Sequence, residues 1–156
     1  MKRNVTLLMI TVFAFVALAG CATGQWGRRN LTDVSRYVNG DAASVWEAVD
    51  QALVGIRVKE KNVEKGFLIT DWVSGYSTTR DMGVLLEGRW HERYRLFITV
   101  MPEQDKTYLS IRAQVEEKAP GGKRAYRWER IPSNGLPEQM FLDRVEQILS
   151  AMEQAP

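Results

Sequence analysis

The chain has 156 residues with 21 basic and 19 acidic side chains, which gives a formal net charge of +2 at pH 7. Two of the basic residues, Lys2 and Arg3, lie in a segment that we expect to be removed, and the other 19 balance the 19 acidic residues. A nucleic-acid partner needs a surplus of lysine and arginine on one surface, so this balance disfavours one. The length suits one folded domain with a hydrophobic core.

The chain opens with the pattern of an export signal. Lys2 and Arg3 precede residues 5–19, which are apolar apart from two threonines. A helix that spans a membrane needs about 20 apolar residues, and this run is shorter. We therefore interpret residues 1–20 as a signal peptide that is cleaved, and not as a membrane anchor.

The end of this segment reads Leu18-Ala19-Gly20-Cys21, which resembles the lipobox of bacterial lipoprotein precursors. The resemblance implies cleavage between Gly20 and Cys21, a diacylglycerol on the Cys21 thiol and an acyl chain on the new amino terminus. An ordinary signal peptide with a stray cysteine is the alternative. Ala22, where an aspartate would favour retention in the inner membrane, implies an outer-membrane anchor with the domain in the periplasm. No cysteine is then left for a disulfide.

Residues 23–30 show neither alternation nor a helical stripe, and we predict a lipidated amino terminus and a flexible tether over residues 21–35, followed by a weak strand signal over residues 36–38. The folded domain is predicted to span residues 36–153. Its first strong element is a helix over residues 42–54, because apolar side chains recur at spacings of three and four. Asp41 is a good N-cap, and Gly55 can adopt the left-handed backbone that ends a helix.

Strand patterns fill the middle of the domain. Residues 56–61 and 66–73 predict a hairpin, and residues 93–101 and 107–115 predict two long strands. In the long strands one face is apolar and the other carries polar, arginine and aromatic side chains, so we expect an antiparallel sheet with one solvent-facing side. The face predicted to be open includes Arg93, Arg95, Phe97, Thr99, Tyr108, Ser110, Arg112 and Gln114.

Three further segments complete the predicted fold. Residues 74–92 read as a long connection, and residues 125–131 as a last, edge strand. The strongest helix follows the break at residues 131–135, with Pro137 in its first turn. We expect its apolar stripe to cover the sheet, with Glu138 on its polar side. The alternative is that the stripe binds a partner. Together the elements predict an α+β fold.

Several segments resemble the helix-grip domain of the BamC (NlpB) lipoprotein family, over residues 36–152. They are the helix VWEAVDQAL, the segments GIRVKEKN and KGFLITDWV, the strand RYRLFITV and the long last helix. The resemblance implies one antiparallel sheet covered by a long C-terminal helix, with a second helix near the N-terminus. It also implies an accessory role in the machinery that assembles outer-membrane β-barrels. Familiar members carry two such domains and a long amino-terminal segment that grips a partner, whereas this chain has room for one domain.

Residues that carry enzyme chemistry are scarce. The lone histidine, His91, lacks the partners of a metal site or a catalytic triad, and the sequence has no glycine-rich phosphate loop. We therefore predict that the protein is not an enzyme and has no catalytic residue, no metal site and no cofactor besides the acyl chains on Cys21.

Two functions remain open. The first is an interaction module that binds subunits of the β-barrel assembly machinery, with candidate contacts at Trp90, Arg93, Arg95, Tyr108 and Arg112, because exposed aromatic and arginine side chains are frequent binding anchors. The alternative is a membrane-tethered carrier or sensor of a lipid or other apolar ligand, held between the sheet and the helix. Three large side chains could instead fill that space, namely Trp46, Trp72 and Phe141.

Overall fold

The computed structural model describes residues 33–77 and 88–154, which form one antiparallel sheet of seven strands and two α-helices. The strands are β1 (Asp33–Val38), β2 (Val58–Asn62), β3 (Phe67–Thr70), β4 (Val73–Tyr76), β5 (His91–Glu103), β6 (Lys106–Lys118) and β7 (Glu129–Ile131). The helices are α1 (Ala42–Ala52) and α2 (Leu136–Glu153), and a short 3-10 helix spans Lys123–Tyr126. Neither α-helix has an apolar stretch that could cross a membrane.

The sheet is built around the β5–β6 hairpin, whose strands have 13 residues each. Its strand order is β1-β6-β5-β3-β2, with β4 also paired to β5 and β7 also paired to β6. Each long strand therefore has two short neighbours in succession on its outer edge. On β5 the pairing with β3 ends at Phe97 and the pairing with β4 begins at Tyr94, which leaves a gap between them. On β6 a similar gap lies between Arg112, the last partner of β1, and Val115, the first partner of β7.

Both gaps fall at one row of the sheet, where Leu96 lies opposite Ala113. A buried side-chain oxygen fills each gap. The Leu96 N–H donates to the hydroxyl oxygen of Thr70, and the Ala113 N–H donates to the carboxylate of Glu138, at 2.9 and 3.0 Å. Buried backbone donors are costly when unpaired, so these two side chains complete the hydrogen bonding of the central hairpin.

One face of the sheet forms the core with both helices. The core side chains of β5 and β6 alternate with those of the opposite face, and Leu96, Ile98, Leu109 and Ile111 are at most 1% exposed. The helices bury Val45, Trp46, Val49, Phe141, Leu142, Val145 and Leu149 against them. The predicted α+β fold, with one antiparallel sheet covered by a long C-terminal helix and a second helix near the N-terminus, is confirmed.

Some predicted boundaries differ from the structure. Strand β1 begins at Asp33, so the last three residues of the predicted tether belong to the sheet. The predicted strand over residues 66–73 is interrupted after Thr70, where the Thr70 hydroxyl takes the place of a backbone partner. The segment predicted as a last strand begins in the 3-10 helix, because the Ala125 N–H donates to the Gly122 carbonyl and turns the chain.

The long connection predicted over residues 74–92 is shorter in the structure. Residues 74–76 belong to β4, and His91 and Glu92 begin β5. The remaining part of that prediction falls largely on residues 78–87, which lie outside the described residues, as do the signal peptide and Cys21.

The predicted N-cap of α1 is confirmed, and it gives a pH-dependent contribution to stability. The Ser44 N–H donates to Asp41 Oδ1 at 2.8 Å, and this bond lowers the pKa of Asp41. The contribution is therefore complete above the pKa of an unfolded aspartate, about 3.9, and is lost as the pH falls through the lower pKa of the folded state. We expect Asp41→Ala to be less stable than wild type at pH 7 and the difference to shrink below pH 4.

Urea unfolding at several pH values measures this difference. Asp41→Asn is the control, because an asparagine caps the helix without a titrating group. Its advantage over Asp41→Ala should be independent of pH, and a wild-type advantage that is equally constant down to pH 2 would contradict the assignment.

Gly66 allows the turn between β2 and β3 to pack closely against the backbone of β5. Its φ is +68°, and an added Cβ would lie 2.4 Å from the carbonyl oxygen of Val100. The Val100 N–H also donates to the Gly66 carbonyl at 2.9 Å, so neither backbone can move away freely. We expect Gly66→Ala to lower the free energy of unfolding by about 2 kcal/mol or more in urea titrations.

The matched control is Gly75→Ala in β4, where no atom lies within 4 Å of the added Cβ. It should change the free energy of unfolding by no more than about 0.5 kcal/mol. Equal effects of the two substitutions would contradict the close approach at Gly66.

Candidate functional site

The face of the sheet opposite the helices is called the open face here. It presents the residues of β5 and β6 that alternate with the core. Four of the five predicted contacts, Arg93, Arg95, Tyr108 and Arg112, lie on it, as the alternation in the sequence predicted. The fifth, Trp90, does not.

Cationic and aromatic side chains alternate along this face, in a set that we call the ladder. Each cation lies over the face of at least one ring, within the range of a cation–π contact. In spatial order the members are Lys118, Trp128, Arg93, Trp72, Arg95, Phe97 and Arg112. They come from β5, β6 and the segments before β4 and β7, so the ladder joins four parts of the chain.

Within the ladder, Arg93 lies between two indole rings. Its guanidinium carbon is 4.2 Å from the Trp128 ring centre and 4.3 Å from that of Trp72. Trp72 follows the interruption after Thr70, where the Trp72 N–H donates to the Asp71 side chain at 2.9 Å. The prediction that Trp72 fills the core is wrong, because this turn carries it to the open face. The other two residues of that prediction, Trp46 and Phe141, are buried in the core.

Two further arginines, Arg95 and Arg112, flank Phe97. The guanidinium carbon of Arg95 is 4.8 Å from the Trp72 ring centre and 5.3 Å from that of Phe97, and the guanidinium carbon of Arg112 is 4.8 Å from the Phe97 ring centre. Both arginines are partly buried beside these rings. Their charged groups are thus held in place by packing before any partner binds.

The carboxylate of Glu116 forms an ion pair with one cation of the ladder, Arg93. Arg93 Nε and Nη2 donate to Glu116 Oε2 at 3.0 and 2.7 Å, and the Gln114 amide donates to Glu116 Oε1 at 2.8 Å. Arg95 Nε and Nη2 donate to the Gln114 amide oxygen, which is neutral, at 3.1 and 2.8 Å. Within residues 33–77 and 88–154, neither Arg95 nor Arg112 forms an ion pair. The ladder therefore carries more positive than negative charge.

The prediction that Trp90 is an exposed contact is wrong. Its side chain is 9% exposed, and its ring lies 5.3 Å from the guanidinium carbon of Arg124. Its carbonyl accepts a hydrogen bond from the Ser77 N–H at 2.9 Å, which extends the pairing of β4 with β5. The sequence alone placed Trp90 in a connection, whereas this pairing draws it into the fold.

Tyr108 lies on the open face but away from the ladder. Its ring centre is 5.4 Å from that of Tyr37, and the Tyr37 hydroxyl donates to Glu103 at 3.1 Å, which raises the pKa of Tyr37. Ser110 and Thr99 separate this tyrosine pair from Phe97 and Arg112. On the open face, the hydroxyl side chains of Thr99 and Ser110 thus lie between the tyrosine pair and the ladder.

The described residues offer little room for an apolar ligand between the sheet and the helices, because large buried side chains occupy that layer. A cleft of about 240 Å³ lies beside the end of β1, but two carboxylates, Glu146 and Glu153, line it. Within the described ranges, no group of three or more His, Cys, Asp or Glu side chains is placed to hold a metal ion.

Comparisons with known proteins give the chain no family. No protein-family model matches it, and no curated protein matches it. Among solved structures it is similar to a DUF4468 family protein from Bacteroides ovatus, with 11% sequence identity and a TM-score of 0.40, over 80% of this chain and 86% of that one. None of these comparisons links the chain to the BamC family, so that resemblance stays a prediction from the sequence.

Proposed function

We propose that the protein is a lipid-anchored interaction module of the outer membrane, which faces the periplasm and binds a protein partner through the open face. In keeping with the resemblance to the BamC family, the proposed partner is a subunit of the β-barrel assembly machinery. The proposal assigns no catalytic activity, and the acyl chains on Cys21 are its only non-protein component. The observation that carries it is the ladder.

The chemistry of the ladder suits binding. Arginine and aromatic side chains supply a large share of the binding energy in protein interfaces. Stacking between rings restricts Arg93 and Arg95, so less conformational entropy is lost when a partner binds. The surplus positive charge adds electrostatic attraction for an acidic partner.

The anchor makes weak binding sufficient. Eleven residues lie between Cys21 and Asp33, the first residue of β1. Even fully extended, a tether of this length reaches about 40 Å. A partner in the same membrane therefore meets the open face at a high effective concentration, of the order of millimolar.

The first test concerns the anchor and the partner together. The full-length protein is expressed in a Gram-negative host with labelled palmitate, purified from gently solubilised membranes and compared with Cys21→Ala. We expect label and co-purifying β-barrel assembly subunits with the wild type only. Absence of label would contradict the lipid anchor, and a labelled preparation without these subunits would contradict the assembly role.

A further inference from the structure

We infer that Arg95, Phe97 and Arg112 form a carboxylate-binding clamp, and that its partner is an acidic protein segment that lies extended across the open face. The inference rests on the proposed function, in which the open face binds a protein, and it names the chemistry that this face recognises.

The two arginines of the clamp converge on one ring. Phe97 and Arg112 lie opposite each other in the β5–β6 register, and Arg95 is two residues before Phe97 on the same face. Both guanidinium carbons lie within 5.3 Å of the Phe97 ring centre. A negatively charged group above this ring would therefore meet both cations.

Charge distinguishes the two arginines of the clamp from Arg93. Arg93 already pairs with Glu116, whereas among the described residues Arg95 Nε and Nη2 donate to the neutral amide oxygen of Gln114. Asp33 lies opposite Arg112 across the β1–β6 pairing, but the two form no ion pair. Within the part of the chain that the structure describes, Arg95 and Arg112 are thus not paired with a carboxylate, and a partner can supply one.

A carboxylate fits this pair better than other acceptors. A guanidinium donates two parallel hydrogen bonds to a carboxylate, and such charge-assisted bonds are stronger than neutral ones. The adjacent rings exclude part of the surrounding water, which strengthens the attraction further. Because the arginines are partly buried beside these rings, they reach a slender side chain more readily than the flat surface of a bilayer.

The spacing favours an extended polypeptide. Residues on one face of a strand recur about every 6.6 Å, and both Arg95 with Phe97 and Arg112 with Gln114 follow this repeat. An extended segment that has acidic residues at alternate positions has the same repeat. Its successive carboxylates can therefore lie above successive positions of the ladder.

A fluorescent dodecapeptide of alternating glutamate and serine is the probe. Its anisotropy is titrated with the full-length protein in a neutral detergent at low salt. We expect saturable binding that weakens about tenfold in Arg95→Gln and in Arg112→Gln, since each loses a charge-assisted contact. Arg112→Lys keeps the charge but cannot donate two parallel hydrogen bonds to one carboxylate. Its affinity for the peptide should therefore lie between those of the wild type and Arg112→Gln.

The matched control is Arg144→Gln on the exposed side of α2, which removes the same charge from the layer opposite the open face. It should bind like wild type, and unchanged urea midpoints would show that each variant is folded. Equal loss in Arg144→Gln, or no binding of the probe, would overturn the clamp. Binding of phosphatidylglycerol vesicles that depends on Arg112, without peptide binding, would overturn it in favour of lipid headgroups.

The same variants separate this inference from the proposed function. If assembly subunits co-purify with Arg112→Gln as well as with wild type, the clamp is wrong and the proposed function stands. If the peptide binds through Arg95 and Arg112 but no subunit co-purifies, the clamp stands and the assembly role is wrong.

Discussion

Replacing Glu138 with alanine is expected to lower the free energy of unfolding by about 3 kcal/mol, because the side chain is fully buried and both of its oxygens accept hydrogen bonds. Oε1 accepts from the Ala113 N–H at 3.0 Å, and Oε2 accepts from the Ser133 hydroxyl at 2.8 Å. The alanine would leave the Ala113 N–H without this acceptor and open a cavity under α2.

Glu138→Gln separates the hydrogen bonds from the charge. A glutamine oxygen can accept from the Ala113 N–H while its amide donates to the Ser133 oxygen, so we expect a loss of about 1 kcal/mol or less. Glu138→Leu fills the volume without an acceptor, so it should be less stable than Glu138→Gln. Urea titrations measure all three variants, and a glutamine variant as unstable as the alanine variant would contradict the role of the acceptor.

Replacing Arg93 with alanine is expected to lower the free energy of unfolding by about 2 to 3 kcal/mol, since the ladder loses a cation that contacts two rings and pairs with a carboxylate. The side chains of Arg93 and Glu116 are only 25% and 14% exposed, so their ion pair is shielded from solvent. The substitution also removes the cation between Trp72 and Trp128. The changed environment of these indoles should shift the tryptophan emission of the folded protein.

The exposed ion pair between Arg36 and Glu146, with side chains 49% and 31% exposed, supplies the control. Arg36→Ala should cost no more than about 1 kcal/mol, because water screens such pairs. In a double-mutant cycle, Arg93→Ala with Glu116→Ala should cost less than the sum of the single variants. Additive losses in urea titrations would contradict the coupling of these two residues.

The sequence predicted the open face because its signal is local. Strict alternation along β5 and β6 separated Arg93, Arg95, Phe97 and Arg112 from the core before any pairing was known. The ladder itself could not be predicted, since Trp72 and Trp128 reach it from outside β5 and β6. Their contact with Arg93 depends on how the strands pair.

The burial of Glu138 could not be predicted from the sequence. Helical periodicity assigns a glutamate beside an apolar stripe to solvent, and for Glu138 that prediction is wrong. In the structure Glu138 is buried because β1 and β7 leave a gap on β6, where the Ala113 N–H needs an acceptor. A polar residue inside a helix can thus be specified by a gap in a sheet that lies far away in the sequence.

The measurement that tests the central claim most directly is photo-crosslinking in the envelope of living cells. A photoreactive amino acid is placed at Ser110, two residues from Arg112 on the open face, and, as the matched position, at the exposed Gln147 on α2. We expect Ser110 to crosslink to a subunit of the β-barrel assembly machinery and Gln147 not to do so. Crosslinks from Gln147 alone, or none from Ser110, would contradict the open face as the binding surface.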